Sequence, residues 1–191
     1  MKKERLGPCV TFFPQPTTMI STVAADGTVN VMTASWAGIV SKTPPTMAVS
    51  LHYGRKTYEN IKSGGDFVVN MTPVSLALAA DFCGIRSGRE QDKLNMTGLT
   101  TEPAAIVKSP LIAESPLSVE CKFQLELPLG DYRLVIGEIV EIHAVAGALS
   151  GDDAPDVSMF DPLVYLGGIR EYWSLGEKQA DAYKDGLSLE K

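Results

Sequence analysis

Hydrophobic and polar positions alternate along much of the chain, and they do so in short runs broken by turn residues. Thr18–Ala25 is rich in Thr, Ile, Val and Ser and predicts a strand. Asp26-Gly27 is a tight-turn signal, and Val29–Trp36 returns as a second strand. Beyond Pro44-Pro45, Thr46–His52 places Met47, Val49 and Leu51 on one face. Arg55–Ser63 predicts a short helix with Tyr58 and Ile61 turned inward, ended by Gly64-Gly65. Asp66–Met71 reads as a further strand, and Val74–Phe82 as an apolar helix packed into the core.

The second half is more plainly β. In Leu117–Leu127 the positions Leu117, Val119, Cys121, Phe123, Leu125 and Leu127 alternate with Ser118, Glu120, Lys122, Gln124 and Glu126. That pattern predicts a half-buried strand with one wet face. Pro128–Asp131 forms a turn, and Tyr132–Val145 runs back with two mainly apolar faces, as in the interior of a barrel or dimer. A polar tail from Tyr172 is expected to wrap the surface. No repeat and no low-complexity linker interrupts the pattern, so the expected fold is mainly β. It is an antiparallel barrel with short flanking helices, one domain over 1–191 with its core in about residues 10–170.

Composition narrows the chemistry. Of 191 residues, 45% are hydrophobic and 21% charged, which excludes wholesale disorder. The net charge of -6 argues against a nucleic-acid surface. Cys9, Cys83 and Cys121 lie far apart and His52 and His143 stand alone, so no zinc site is expected. The three cysteines read as small buried hydrophobes in a reducing compartment. Leu6–Ala25 is uncharged, but Pro8, Pro14 and Pro16 break it. It makes neither a membrane span nor a signal core, and the expected location is the cytoplasm. Nucleophile-elbow, P-loop and dinucleotide-binding glycine motifs do not occur.

Three segments carry candidate chemistry. Ser50-Leu51-His52-Tyr53-Gly54-Arg55-Lys56-Thr57 runs from a strand through a glycine into a helix start. Cations there oppose the positive end of the helix dipole unless an anion joins them. A phosphate would satisfy the free amides, Arg55 or Lys56, and the Thr57 hydroxyl together. An ordinary solvated helix start accounts for the same residues. Asn30, Met32, Ala34 and Trp36 share one strand face, with Val31, Thr33 and Ser35 on the other. Small polar groups beside an indole suit a planar heterocycle, and equally a core tryptophan on a threonine-rich strand. Ser87–Lys93 has the charge density of an exposed loop, from which Lys93 could also pair with a phosphate or with ring atoms.

Taken in order, these segments resemble the flavin reductase-like family of FMN-binding split β-barrels, and its flavoredoxin branch in particular. The resemblance is carried by Asn30–Trp36, Arg55–Ile61, Asp66–Asn70, Asp81-Phe82-Cys83-Gly84, Ser87-Gly88-Arg89 with Asp92-Lys93, Ile136-Gly137-Glu138 and Pro162–Tyr165. It implies a Greek-key-like antiparallel split barrel and a homodimer holding FMN near the subunit interface. Asn30, Thr33, Ala34, Ser35 and Trp36 would then border the ring and ribityl chain. Ser50, Leu51 and His52 would line the approach, and Arg55, Lys56 and Thr57 would hold the phosphate. Lys93 would contact the flavin, and Tyr165 would pack near its ring. Relatives often carry histidine where this chain has Tyr132 after Gly130-Asp131; tyrosine there can still stack and donate.

The activity implied is that of an oxidoreductase moving hydride or electrons through FMN, with NADH or NADPH as donor. No side chain is then needed as a catalytic group. Two alternatives remain open at this level: an FMN electron carrier serving a redox partner protein, and a barrel for another cofactor such as haem.

Overall fold

The computed structural model describes residues 1–148 and 156–190. Seven strands form one antiparallel sheet: β2 (Thr18–Val23), β3 (Val29–Ala34), β4 (Ala37–Lys42), β5 (Pro45–His52), β6 (Asp66–Met71), β9 (Leu117–Leu129) and β10 (Tyr132–Ala144). The short β1 (Gln15–Pro16), β11 (Val164–Leu166) and β12 (Glu171–Trp173) make a second sheet, and β7 (Thr101–Glu102) pairs with β8 (Leu111–Ile112). The helices are α1 (Lys56–Gly64), α2 (Ala77–Ile85), α3 (Lys93–Thr97) and α4 (Val157–Phe160).

The large sheet runs in the order β3-β2-β6-β9-β10-β5-β4. Its two outermost strands, β3 and β4, are consecutive in the chain and separated only by Ser35 and Trp36. A link that short forces the sheet to curl until its ends meet, which makes the barrel. The Ser50 N–H donates to the Trp36 carbonyl at 2.8 Å, which carries the β4–β5 ladder into this link. Inside lie Ile20, Met32, Val49, Leu51, Phe67 and Val135, all buried. A second apolar layer forms outside the barrel, where Met19 and Val31 meet Ala80, Cys83 and Ile112. The inward and outward assignment of Asn30–Ser35 follows the expected alternation.

Several expectations need correction. Strand β4 has no counterpart in the sequence reading, and Ser35 and Trp36 belong to the link rather than to β3. The helix after Val74 begins as a 3-10 turn and continues as α2, which lies on the outer layer with Leu78 fully exposed. Cys9 is exposed, whereas Cys83 and Cys121 are buried. The tail is not a simple surface wrap, because Glu171–Trp173 pairs with β11.

The largest correction concerns β9. Its expected wet face is buried at Ser118 and Glu120, while Leu125 and Leu127 on the apolar face are exposed. The cause is residues 105–112, which fold over the outer face of β6 and β9. Glu120 accepts the N–H groups of Ala105, Ile106 and Val107 at 2.7, 2.8 and 2.9 Å. Asp66 accepts those of Lys108 and Ser109. Buried Asn70 completes the seam, accepting from the Ile112 N–H and the Ser118 hydroxyl. Carboxylates taken out of water need such donors to remain charged.

Candidate cofactor site

The strand β5 ends at His52, and a turn through Tyr53 and Gly54 delivers the chain to α1. The Arg55 N–H donates to the His52 carbonyl at 3.0 Å, and the Gly54 N–H donates to His52 Nδ1 at 3.0 Å. Arg55 is the N-cap residue, in extended geometry, and it supplies no side-chain cap. The first amides of α1 therefore face outward without an intrahelical acceptor. Thr57 is buried and accepts from Asn30 Nδ2 at 2.8 Å, which leaves its own hydroxyl proton free to donate.

Cations crowd this helix start. Arg89 donates to the Gly54 carbonyl and to Glu59 Oε2, both at 2.8 Å, while Lys56 Nζ lies 3.3 Å from Glu59 Oε1. Hydrogen bonding from Arg89, then from Lys56, holds the Glu59 carboxyl below its usual value. Arg55, Lys56, Arg86 and Arg89 all line one cavity of about 440 Å3 with Thr57 at its floor. The electrostatic balance of this cavity is positive, although the chain as a whole is acidic.

Asn30 and Gly88 form the other wall. Asn30 Oδ1 is buried and has no hydrogen-bond partner. An ideal Cβ on Gly88 would lie 1.8 Å from that oxygen, so only glycine lets the loop approach. An unpaired buried acceptor beside a cationic cavity fits a ligand that carries hydroxyl donors.

A second cavity of about 330 Å3 adjoins the first, and the two share Met32, His52, Arg55 and Tyr132. Thr33, Ala34, Ser35 and Trp36 line it on one side, Ser50 and Leu51 on another, and Tyr165 closes it. Its character is aromatic. Tyr132 packs against Trp36 with centroids 5.2 Å apart and meets His52 edge-on at 5.6 Å. Every residue singled out from the sequence thus lines one cavity or the other.

Lys93 needs a correction of setting. Rather than standing in an exposed loop, it is the first residue of α3 and is 5% exposed. Its Nζ donates to the carbonyls of Val31 at 2.7 Å and Cys83 at 2.9 Å, so it ties the outer edge of β3 to the end of α2. Burial lowers its pKa to about 8. It still borders the cationic cavity.

The profile of the flavin reductase like domain matches residues 10–174. The chain belongs to this family. It is similar to the flavoredoxin of Desulfovibrio vulgaris, 33% identical with a TM-score of 0.92, covering 97% of this chain and 100% of that one. A flavoredoxin of Methanosarcina acetivorans is 27% identical with a TM-score of 0.90, covering 99% and 100%. An uncharacterised protein of Archaeoglobus fulgidus is 33% identical over 129 residues, 68% of this chain and 72% of that protein.

In this flavin reductase like protein the residues fit a flavin mononucleotide on the structure's own terms. A dianionic phosphate matches the uncapped α1 terminus and its cations, polyol hydroxyls match the orphaned Asn30 oxygen, and a flat ring matches the aromatic cavity. The sequence reading missed Met32, Gly54, Arg86 and Arg89 as lining residues. The Ser87–Arg89 run shows locally as a charged loop and as part of the family likeness, but nothing in it reveals that Arg89 reaches back to Glu59.

Proposed function

We propose that the protein is an FMN-binding oxidoreductase that draws on NADH or NADPH. The observation that supports this most directly is the uncapped, cation-lined start of α1 opening into an aromatic cavity. The α1 amides, Arg55, Lys56 and the Thr57 hydroxyl would bind the phosphate. Asn30 would accept from the ribityl chain, and Trp36, His52, Tyr132 and Tyr165 would flank the ring and limit water around it. Bound FMN supplies the hydride and electron chemistry, which the chain's side chains lack. The protein's share is position and electrostatics.

A second reading is an electron carrier acting between partner proteins, favoured by the likeness to two flavoredoxins. We also propose a homodimer. Ile39 and Val40 on β4, and Leu125, Leu127 and Leu129 on β9, are all more than half exposed, an arrangement that leaves apolar surface for a second copy. Among the described residues, no helix is long and apolar enough to cross a membrane.

The test is a titration of purified protein with FMN, followed by NADH and NADPH oxidation with and without added flavin. Saturable FMN binding with turnover supports the reductase. Binding without turnover, with photoreducible FMN, supports the carrier. Failure to bind FMN overturns both.

A further inference from the structure

A third cavity, of about 270 Å3, lies behind the link that closes the barrel. It shares Thr33, Ser35 and Tyr165 with the aromatic cavity, so the two meet along these three residues. Nothing in the cofactor reading uses its remaining residues, chief among them Thr17, Asp81, Arg170 and Tyr172.

Four observations point to a ligand. Thr17 is 2% exposed, its Oγ1 has no hydrogen-bond partner, and it lines the cavity. Its backbone is held on both sides, by Leu163 and Thr72, so the side chain is fixed where it stands. Tyr165 and Tyr172 pair with centroids 5.4 Å apart and present ring surface. Tyr172 donates to Asp81 Oδ1 at 3.3 Å, which fixes that carboxylate on the Tyr172 side of the cavity without removing its charge. Arg170, in contrast, forms no ion pair among the described residues, and its backbone holds the left-handed conformation at φ 61. That conformation favours glycine, so an arginine there is kept at a backbone cost.

We propose that this cavity binds a small single-ring aromatic carboxylate. The ring would pack on the tyrosine pair, the carboxylate would meet the Arg170 guanidinium, and the Thr17 hydroxyl would supply a further hydrogen bond. The volume suits one ring and excludes a dinucleotide. Its shared rim puts such a ligand beside the aromatic cavity, as a co-substrate site; that placement rests on the FMN reading, whereas the binding itself does not.

Benzoate is the probe, with benzyl alcohol as the neutral control, both titrated calorimetrically into the protein with and without FMN. Benzoate is expected to bind one per chain. Arg170→Gln should weaken benzoate by roughly tenfold or more while leaving benzyl alcohol unaffected. Arg170→Gly removes the cation and relieves the backbone, so loss of benzoate with an undiminished melting temperature separates recognition from folding. With FMN present, benzoate should shift the visible flavin spectrum. Benzoate binding that is absent at millimolar concentration, or as tight in both Arg170 variants as in the wild type, overturns the site. Benzoate binding in protein that takes no FMN leaves the site standing and overturns only the cofactor reading.

Discussion

His143 Nε2 lies 2.6 Å from Glu120 Oε1, joining a part-buried imidazole on β10 to a carboxylate with no solvent exposure on β9. Burial pushes the Glu120 carboxyl up, but the bond from His143 and those from Ala105, Ile106 and Val107 outweigh it, and the net shift is downward from 4.5. A depressed folded-state value means stability that is complete above 4.5 and lost as pH falls through the folded value. Glu120→Gln should therefore cost about 1–3 kcal/mol at neutral pH. In urea unfolding, the gap between the two proteins should narrow well below pH 4.5. An unchanged gap there would show that Glu120 does not carry the acid sensitivity.

Lys93 gives a second window of the same sign, at the alkaline end. Its pKa falls from 10.5 to about 8 because burial disfavours the ammonium. Between those values the unfolded chain holds a proton that the folded protein does not, so stability rises with pH across that interval. Lys93→Met should flatten the rise. Urea unfolding of both proteins at the two ends of the interval measures it.

At the cation-lined cavity, Thr57→Ala removes a donor and the acceptor for Asn30 Nδ2. FMN affinity should drop by roughly fivefold to tenfold, with riboflavin affinity little changed. Gly88→Ala forces a contact of 1.8 Å with Asn30 Oδ1 and should weaken both ligands. Fluorescence titrations with the two flavins distinguish the variants.

Gly137 on β10 faces buried Phe67, and a Cβ there would lie 2.6 Å from Phe67 Cζ and 3.0 Å from Cys121 Cβ. Neither neighbour has room to retreat. Gly137→Ala should destabilise the barrel by about 1–3 kcal/mol, read as a lower urea midpoint.

For the dimer, Leu125→Asp combined with Leu127→Asp alters only exposed positions. Sedimentation should show the wild type at twice the 20.5 kDa chain mass and the variant at one. A wild-type monomer would remove the proposal.

Local pattern carried much of this fold. The Asp26-Gly27 turn, the α1 start and the β10 return were all legible, because each is decided by neighbours in sequence. Strand β4 was not. Gly38 and the exposed Ile39 and Val40 break the alternation that an edge strand would need to be seen. Ser118 and Glu120 were misplaced for a different reason: the chain that covers them comes from residues 105–112, which no periodicity within β9 can announce. Lys93 is a candidate from its charged run and gains weight from the family likeness, but its burial is not legible there, since a charged run gives no hint that one of its members is buried. The α1 start is legible from local chemistry and the β3 and β5 lining through the family likeness, whereas Arg86 and Arg89 join the cavity only in the folded loop.

The two-residue link Ser35-Trp36 closes the barrel and also borders the aromatic cavity, with Ser35 reaching the cavity behind it. Architecture and cavity lining are fused at that one place. Selectivity can therefore be re-engineered more freely from residues 86–89 and from Arg170, which shape the cavities from outside the barrel, than from the link itself, where a change of taste would also be a change of frame.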